Sequence, residues 1–207
     1  MSSKFKLTLS FIAVIMLVLS TSFGANARVI LKETTTYYPV TGKTGKEIFK
    51  SMLDRGPKLG GPKNHALATT EYNYDVKNVD VEVRRGRCIP IKMDVFVTVK
   101  YTYPKWMGSR GAKKSTKAAW NRFKKSVVWH EKQHVKIALD YANEYEAALK
   151  KTRLRANDNC KSASFTSAWR TTRAALKHNR RQRLFDRKDL RPGGRGYEAQ
   201  LQLIRAQ

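Results

Sequence analysis

The chain has 207 residues, and its 42 lysines and arginines outnumber its 16 acidic residues, which gives a formal net charge of +26. This imbalance excludes an ordinary near-neutral cytosolic enzyme and favours polyanionic partners such as nucleic acid, anionic lipid, lipopolysaccharide or acidic glycans. Hydrophobic residues make up 41% of the chain, enough for a packed core, whereas two cysteines exclude a multi-bridge disulfide scaffold and a four-cysteine zinc module.

The first 27 residues have the pattern of a secretory signal peptide. Lys4 and Lys6 precede an apolar run over residues 7–19, and Ala25 and Ala27 provide the small residues of a cleavage site. The run is shorter than the roughly 20 residues that a membrane anchor needs. We therefore expect cleavage after Ala27, a mature chain of 28–207 with no transmembrane span, and a periplasmic or secreted location. Its charge would be +24, since two lysines leave (26 − 2).

Export determines what is expected of the two cysteines. In an oxidising compartment a pair of thiols usually forms a bridge, so we expect a disulfide between Cys88 and Cys160. Two free, buried thiols are the alternative.

The first half of the mature chain predicts strands around one short helix. A β-branched and aromatic bias predicts a strand over 28–40. Thr44 and Glu47 form a capping box before a short amphipathic helix, and the Gly- and Pro-rich stretch 56–64 predicts a loop. Three strand-like runs follow, the last with apolar residues at every second position; they cover 66–75, 79–85 and 89–103.

The second half predicts helices. From residue 116 to about 155 there is no Pro or Gly, and apolar and histidine side chains recur at spacings of three and four, which predicts one long helix or two with a bend. A second amphipathic stretch covers 165–176, and the Arg-rich chain beyond Arg180 is expected to be a loosely ordered tail. The expected fold is α+β, a small antiparallel sheet followed by these two helices. It comprises a domain over 28–182 and a basic C-terminal tail over 183–207.

The long helix contains an H-E-x-x-H pattern formed by His130, Glu131 and His134. Residues four apart lie on one helix face, so both imidazoles can reach one Zn²⁺ ion. Glu131 projects to the side of that ion, where it can act as the general base on a metal-bound water. The pattern indicates hydrolysis of a peptide bond. The alternative is a pair of buried histidines satisfied by hydrogen bonds alone.

A third metal ligand is not obvious from spacing. Asp140 stands where short-spacer H-E-x-x-H proteases have their last ligand, but Ile137 replaces the glycine that turns the chain there. Glu144 lies roughly 15 Å along the helix from His134. A ligand from another segment fits better, and four residues are candidates: Asp186, Asp158, His178 and His65.

The chain resembles a bacterial family of domains of unknown function described as predicted secreted zinc-dependent proteases. The resemblance rests on segments spread over most of the mature chain: 34–38, 45–53, 65–70, Tyr72, Tyr74, Cys88, 103–106, Trp120, Phe123, 130–134 and Cys160. It implies an exported, zincin-like metallopeptidase domain with one disulfide between the two cysteines. Members often end in Tyr-Asp followed by Thr-x-His-Gly. Phe185 and Asp186 stand where the family has Tyr-Asp, so the resemblance implies Asp186 as the third ligand. Residues 190–194 stand where the family has Thr-x-His-Gly, but they contain no histidine.

Two functions therefore follow from the sequence. The first is an exported zinc metallopeptidase acting on a peptide or protein. The second is a non-catalytic envelope protein whose basic face binds anionic lipid, lipopolysaccharide or an acidic polymer, unless that face is simply solvated. The candidate face comprises Lys113, Lys114, Lys117, Lys124, Lys125, Lys150, Lys151, Arg153 and Arg155. Nucleic acid is not an expected partner, because export separates the protein from it and no recognition motif is present.

Overall fold

The computed structural model describes residues 26–58, 65–155, 160 and 173–207. Its elements in chain order are β1 (Asn26–Val40), α1 (Gly45–Arg55), β2 (Thr69–Arg84), β3 (Arg87–Trp106), α2 (Lys114–Lys151), β4 (Leu154–Arg155), α3 (Arg173–Asp189) and α4 (Arg195–Ile204). The fold is α+β, as predicted from the sequence.

The sheet is mixed, so the prediction of an antiparallel sheet is wrong. β3 is central: β2 pairs with it antiparallel on one side, while β1 pairs with it parallel on the other, from Asn26 opposite Lys92 to Val40 opposite Trp106. The two-residue β4 is antiparallel to the start of β3. Alternating apolar residues determine which face of a strand is buried but carry no information on the direction of its neighbour.

The runs predicted over 66–75 and 79–85 belong to one strand. β2 continues through a register irregularity between Lys77 and Asp80, where Asn78 adopts a φ of 53°. Asn is among the few residues that tolerate this left-handed conformation. β2 then turns into β3 through Arg85 and Gly86, both with positive φ, as a two-residue hairpin of this twist requires.

Helix α2 is a single helix of 38 residues, which decides between the two arrangements that the sequence left open. Its N-terminal half packs Trp120 and Phe123 against α1 and α4, and its C-terminal half packs Tyr145 and Leu149 onto β3. The predicted capping box of α1 is confirmed, because Thr44 and Glu47 hydrogen bond to each other's backbone. The long helix thus crosses the sheet and connects both clusters of the core.

The residues beyond Arg180 are helical, so the expectation of a loosely ordered tail is wrong. α4 buries Leu203 completely, and the Ala206 carbonyl oxygen accepts a hydrogen bond from the Gly45 amide at 2.8 Å. Arg-rich composition suggested a solvated segment, but α4 buries the face formed by Gly196, Ala199 and Leu203 and packs against α1 and α2. Residues 165–172 of the predicted amphipathic stretch and the candidate ligand Asp158 lie outside the described residues, whereas residues 173–176 begin α3.

The disulfide between Cys88 and Cys160 is confirmed. Cys88 is fully buried at the start of β3. The bridge therefore joins Cys160, which follows β4, to the beginning of the central strand of the sheet. No helix in the described ranges combines the length and apolarity needed to cross a membrane.

We predict that the double substitution Cys88→Ala and Cys160→Ala lowers the free energy of unfolding by about 4 kcal/mol. The bridge closes a loop of 72 residues, and its loss returns that loop's conformational entropy to the unfolded chain. Urea unfolding followed by circular dichroism measures the change. The wild-type protein in reducing agent should match the variant, and an unchanged unfolding midpoint would contradict the prediction.

Candidate metal centre

Helix α2 brings His130 and His134 together on its buried face. The residues are one turn apart, and their two Nε2 atoms lie 3.2 Å from each other. His130 is only 8% exposed, and Glu131 beside it is 5% exposed. The predicted histidine pair therefore points into the protein, with both Nε2 atoms directed at the same point.

Helix α3 adds Asp186 to this pair. The Asp186 Oδ1 atom lies 3.3 Å from His130 Nε2 and 3.0 Å from His134 Nε2. One ligand atom from each of the three residues lies within 4.8 Å of the others, so the group could hold a metal ion. Among the described candidates for a third ligand, Asp186 is the one that the structure brings to the histidines.

The other described candidates lie elsewhere. Asp140 is exposed on α2, and Glu144 is exposed and accepts a hydrogen bond from Arg181. His178 is buried among tyrosines, and His65 lines the cleft described below without joining the ligand group.

The separations of the three ligand atoms fit a tetrahedral ion. Two ligands at 2.0–2.1 Å from one Zn²⁺ at the tetrahedral angle lie about 3.3 Å apart. The separations around the point shared by His130, His134 and Asp186 are 3.0, 3.2 and 3.3 Å. Two imidazoles and one carboxylate are also a donor set that catalytic zinc sites use, with the fourth position left open.

The opposite ring nitrogens are held by two residues that the sequence did not indicate. His130 Nδ1 donates to Asp189 Oδ2 at 2.7 Å, and His134 Nδ1 donates to Gln182 Oε1 at 2.6 Å. A carboxylate oxygen and an amide oxygen only accept hydrogen bonds, so each proton must be on Nδ1. Both Nε2 atoms then present lone pairs toward Asp186, the tautomer that metal binding requires.

Helix periodicity explains how one helix supplies these groups. Gln182, Asp186 and Asp189 are spaced four and three apart and so lie on one face of α3. This spacing was visible in the sequence, but it has meaning only once residues 180–189 are known to be helical. Phe185 on the same helix packs against both imidazoles, with ring centroids 4.8 Å from His130 and 5.3 Å from His134.

The electrostatics follow from these contacts. Burial lowers the pKa of His130 and His134, but a protonated ring can also donate from Nε2 to Asp186, and this hydrogen bond, with those to Asp189 and Gln182, raises the pKa of both above the ordinary value. Although burial acts to raise the pKa of Asp186, the two histidines hold it well below its usual range. A carboxylate ionised at all ordinary pH values thus faces two imidazoles, an arrangement suited to a divalent cation.

Glu131 does not belong to the ligand group, as its position on the helix predicted. Its Oε2 accepts a hydrogen bond from the Thr70 hydroxyl of β2 at 2.6 Å, which fixes the carboxylate beside the histidines. Burial raises the pKa of Glu131, and the Thr70 hydrogen bond offsets only part of that effect. Glu131 is therefore a more basic carboxylate than an exposed one.

The three candidate ligands and Glu131 line a cleft of about 710 Å³. Its walls include the start of β2 from Thr69 to Tyr72, and its lining also contains His130, Glu131, His134 and Asp186. Apolar side chains from α1, α2 and the segment before β2 cover part of it: Phe49, Leu53, Leu67, Ala68 and Val127. The residues of the three converging ligand atoms and Glu131 therefore line the same cleft.

His178 belongs to a neighbouring cluster with a packing role. Its ring stacks on Tyr141 at 4.5 Å, and its Nε2 lies 3.1 Å from the Tyr72 hydroxyl and 3.5 Å from that of Tyr74. Burial, aided by the charge of Arg181, lowers the pKa of His178, so this ring is neutral at physiological pH. The cluster anchors α3 to both β2 and α2.

A family model matches residues 35–194, which is more than half of the chain and includes the whole candidate centre. The chain belongs to the DUF922 family, bacterial proteins of unknown function. No curated protein and no solved structure matches it. The resemblance seen in the sequence is therefore confirmed for family membership, while the DUF922 description assigns no activity.

We predict that Asp189→Asn lowers zinc affinity by about 10- to 100-fold, because the amide can no longer accept from His130 as a carboxylate does. Asp186→Ala should have a larger effect, since it removes one of the three converging ligand atoms. Competition with a chromophoric chelator measures the dissociation constants. Asp140→Asn, at an exposed position on α2, serves as the control, and equal affinity in all three variants would contradict this site.

Proposed function

We propose that this protein is an exported, zinc-dependent metallopeptidase. The observation that carries the proposal is the convergence of His130 Nε2, His134 Nε2 and Asp186 Oδ1 within 3.0–3.3 Å of one another, beside a buried Glu131, in an open cleft. Hydrogen bonds from both Nδ1 atoms to Asp189 and Gln182 support a metal centre, since they direct the Nε2 atoms of both imidazoles at Asp186.

Zinc is the proposed ion because imidazole and carboxylate are among its usual ligands and it is most often bound in a tetrahedral arrangement. Held by His130, His134 and Asp186, it would supply Lewis-acid chemistry, lowering the pKa of a water molecule and polarising a carbonyl group. Asp189 and Gln182 keep the two imidazoles in the required orientation before any ligand arrives.

Glu131 is the proposed general base. Its carboxylate would take a proton from the attacking water and then give that proton to the leaving amine. Burial raises its pKa, which brings it closer to the pH at which it must both accept and release a proton. Thr70 orients the carboxylate through a 2.6 Å hydrogen bond.

The edge of β2 supports a peptide as the substrate. In the part of the chain that the structure describes, β2 pairs only with β3, so the other edge of Thr69–Tyr72 faces the cleft without a strand partner. An extended peptide can pair with such an edge, and the neighbouring apolar lining can accept a side chain. This arrangement would bring a peptide bond beside Glu131.

Export is part of the proposal. The charge, apolar run and small residues of positions 1–27 support a signal peptide. The disulfide between Cys88 and Cys160 is consistent with an oxidising location such as the periplasm or the exterior of the cell.

The proposal predicts that Glu131→Gln retains zinc but lowers the rate of peptide hydrolysis by about 10²–10⁴-fold, the usual contribution of a general base. Zinc content is measured by elemental analysis, and hydrolysis is followed with fluorescein-labelled casein. Glu144→Gln, at an exposed glutamate of the same helix, is the matched control and should retain activity.

Two results would contradict the proposal. Wild-type protein that contains no zinc after purification without chelator, and takes up none when zinc is added, would exclude the metal centre. Casein hydrolysis that persists at the wild-type rate in Glu131→Gln would show that the activity comes from another site or from a contaminant.

A further inference from the structure

Helix α3 has two chemically different faces. Its inner face carries the groups that contact the histidine pair, namely Gln182, Phe185, Asp186 and Asp189. Its outer face, continued just past the helix end, carries six exposed cations: Lys177, Arg180, Arg183, Arg187, Lys188 and Arg191. At 100° per residue, the five cations within the helix span about 140° of its circumference.

Within the described residues, the cations of this outer face have no acidic partners. Several other surface cations do pair with carboxylates, as Lys50 does with Asp54 and Arg84 does with Glu82. Among the described residues, none of the six forms a salt bridge, because both aspartates of α3 are turned inward to the histidines. Their positive charge is therefore not neutralised within the described structure and can attract an anionic surface.

Leu184 lies in the middle of this cationic face and is 47% exposed. A leucine contributes little to binding a polyanion such as nucleic acid or an acidic glycan. Basic residues around an exposed apolar side chain are instead typical of helices that lie in the headgroup region of a membrane. Arginine also matches phosphate oxygens in bidentate geometry better than lysine does, and four of the six cations are arginines.

We propose that the outer face of α3 docks on an anionic phospholipid bilayer. The arginines and lysines bind headgroup phosphates, and Leu184 inserts at the boundary with the acyl chains. Leu190, which directly follows α3, is 44% exposed and lines the cleft, so the docked face extends to the rim of the candidate metal centre. Docking would hold the cleft beside the membrane surface, and it does not depend on whether the centre hydrolyses peptides.

The test is co-sedimentation of the full chain with vesicles of phosphatidylcholine, with and without phosphatidylglycerol. We expect binding only with phosphatidylglycerol, falling as salt is added. Each basic residue near the surface contributes about fivefold to partitioning, so Arg183→Gln with Arg187→Gln should lower it by about 25-fold. Leu184→Ser should lower it as well, and the weakening should persist at every salt concentration.

The matched comparison is Lys117→Gln with Lys124→Gln, which removes the same charge from exposed positions on α2. These lysines belong to the basic face that the sequence offered for anionic partners; because the proposal places docking on α3 instead, their loss should change partitioning by at most about twofold. All variants share the same first 27 residues, so that segment cannot cause a difference. Unchanged circular dichroism and zinc binding show that the variants are folded. Equal losses in the α2 and α3 variants would overturn the proposal, as would a Leu184→Ser variant that binds like wild type, or α3-dependent binding to nucleic acid but not to vesicles.

Discussion

The candidate centre depends on two hydrogen bonds on the far side of the histidine pair. Buried imidazoles without partners would destabilise the fold, and imidazoles whose Nε2 atoms were both occupied could not bind a metal. Asp189 and Gln182 resolve this conflict by accepting from the two Nδ1 atoms, which directs both Nε2 atoms at Asp186. Every proposal about the chemistry of the site follows from this orientation, because it is what distinguishes a ligand pair from two packed histidines.

Three segments that are far apart in the chain form this arrangement, and the fold holds them next to one another. The sheet presents Thr70 at the start of β2, α2 lies across the sheet with the histidines and Glu131, and α3 packs on α2 with Asp186. The tyrosine cluster around His178 fixes α3 against β2 and α2. The two faces of α3 differ in chemistry, since the inner face carries Asp186 toward the histidines and the outer face carries exposed cations.

The parts of the structure governed by local periodicity could be predicted from the sequence. The spacing of apolar residues and of His130 and His134 indicated a helix with a buried histidine face, and the two cysteines of a chain expected to be exported indicated the disulfide. Strand direction could not be predicted, because β1 reaches the edge of β3 only through tertiary packing. Asp189 and Gln182 could not be predicted either. The high Arg content of their segment suggested a disordered tail, and the four- and three-residue spacing of Gln182, Asp186 and Asp189 is informative only in a helix. Asp186 came from the family resemblance and not from spacing.

The proposed function requires that one zinc ion is held by the His130–His134–Asp186 group. Its most direct test is zinc X-ray absorption spectroscopy of the protein loaded with one equivalent of the metal, together with His134→Ala. We predict a four-coordinate spectrum with two imidazoles and oxygen donors at about 2.0 Å, and the loss of one imidazole signal in the variant. An octahedral shell of oxygen atoms alone, or a spectrum that His134→Ala leaves unchanged, would show that zinc binds elsewhere and would contradict the claim.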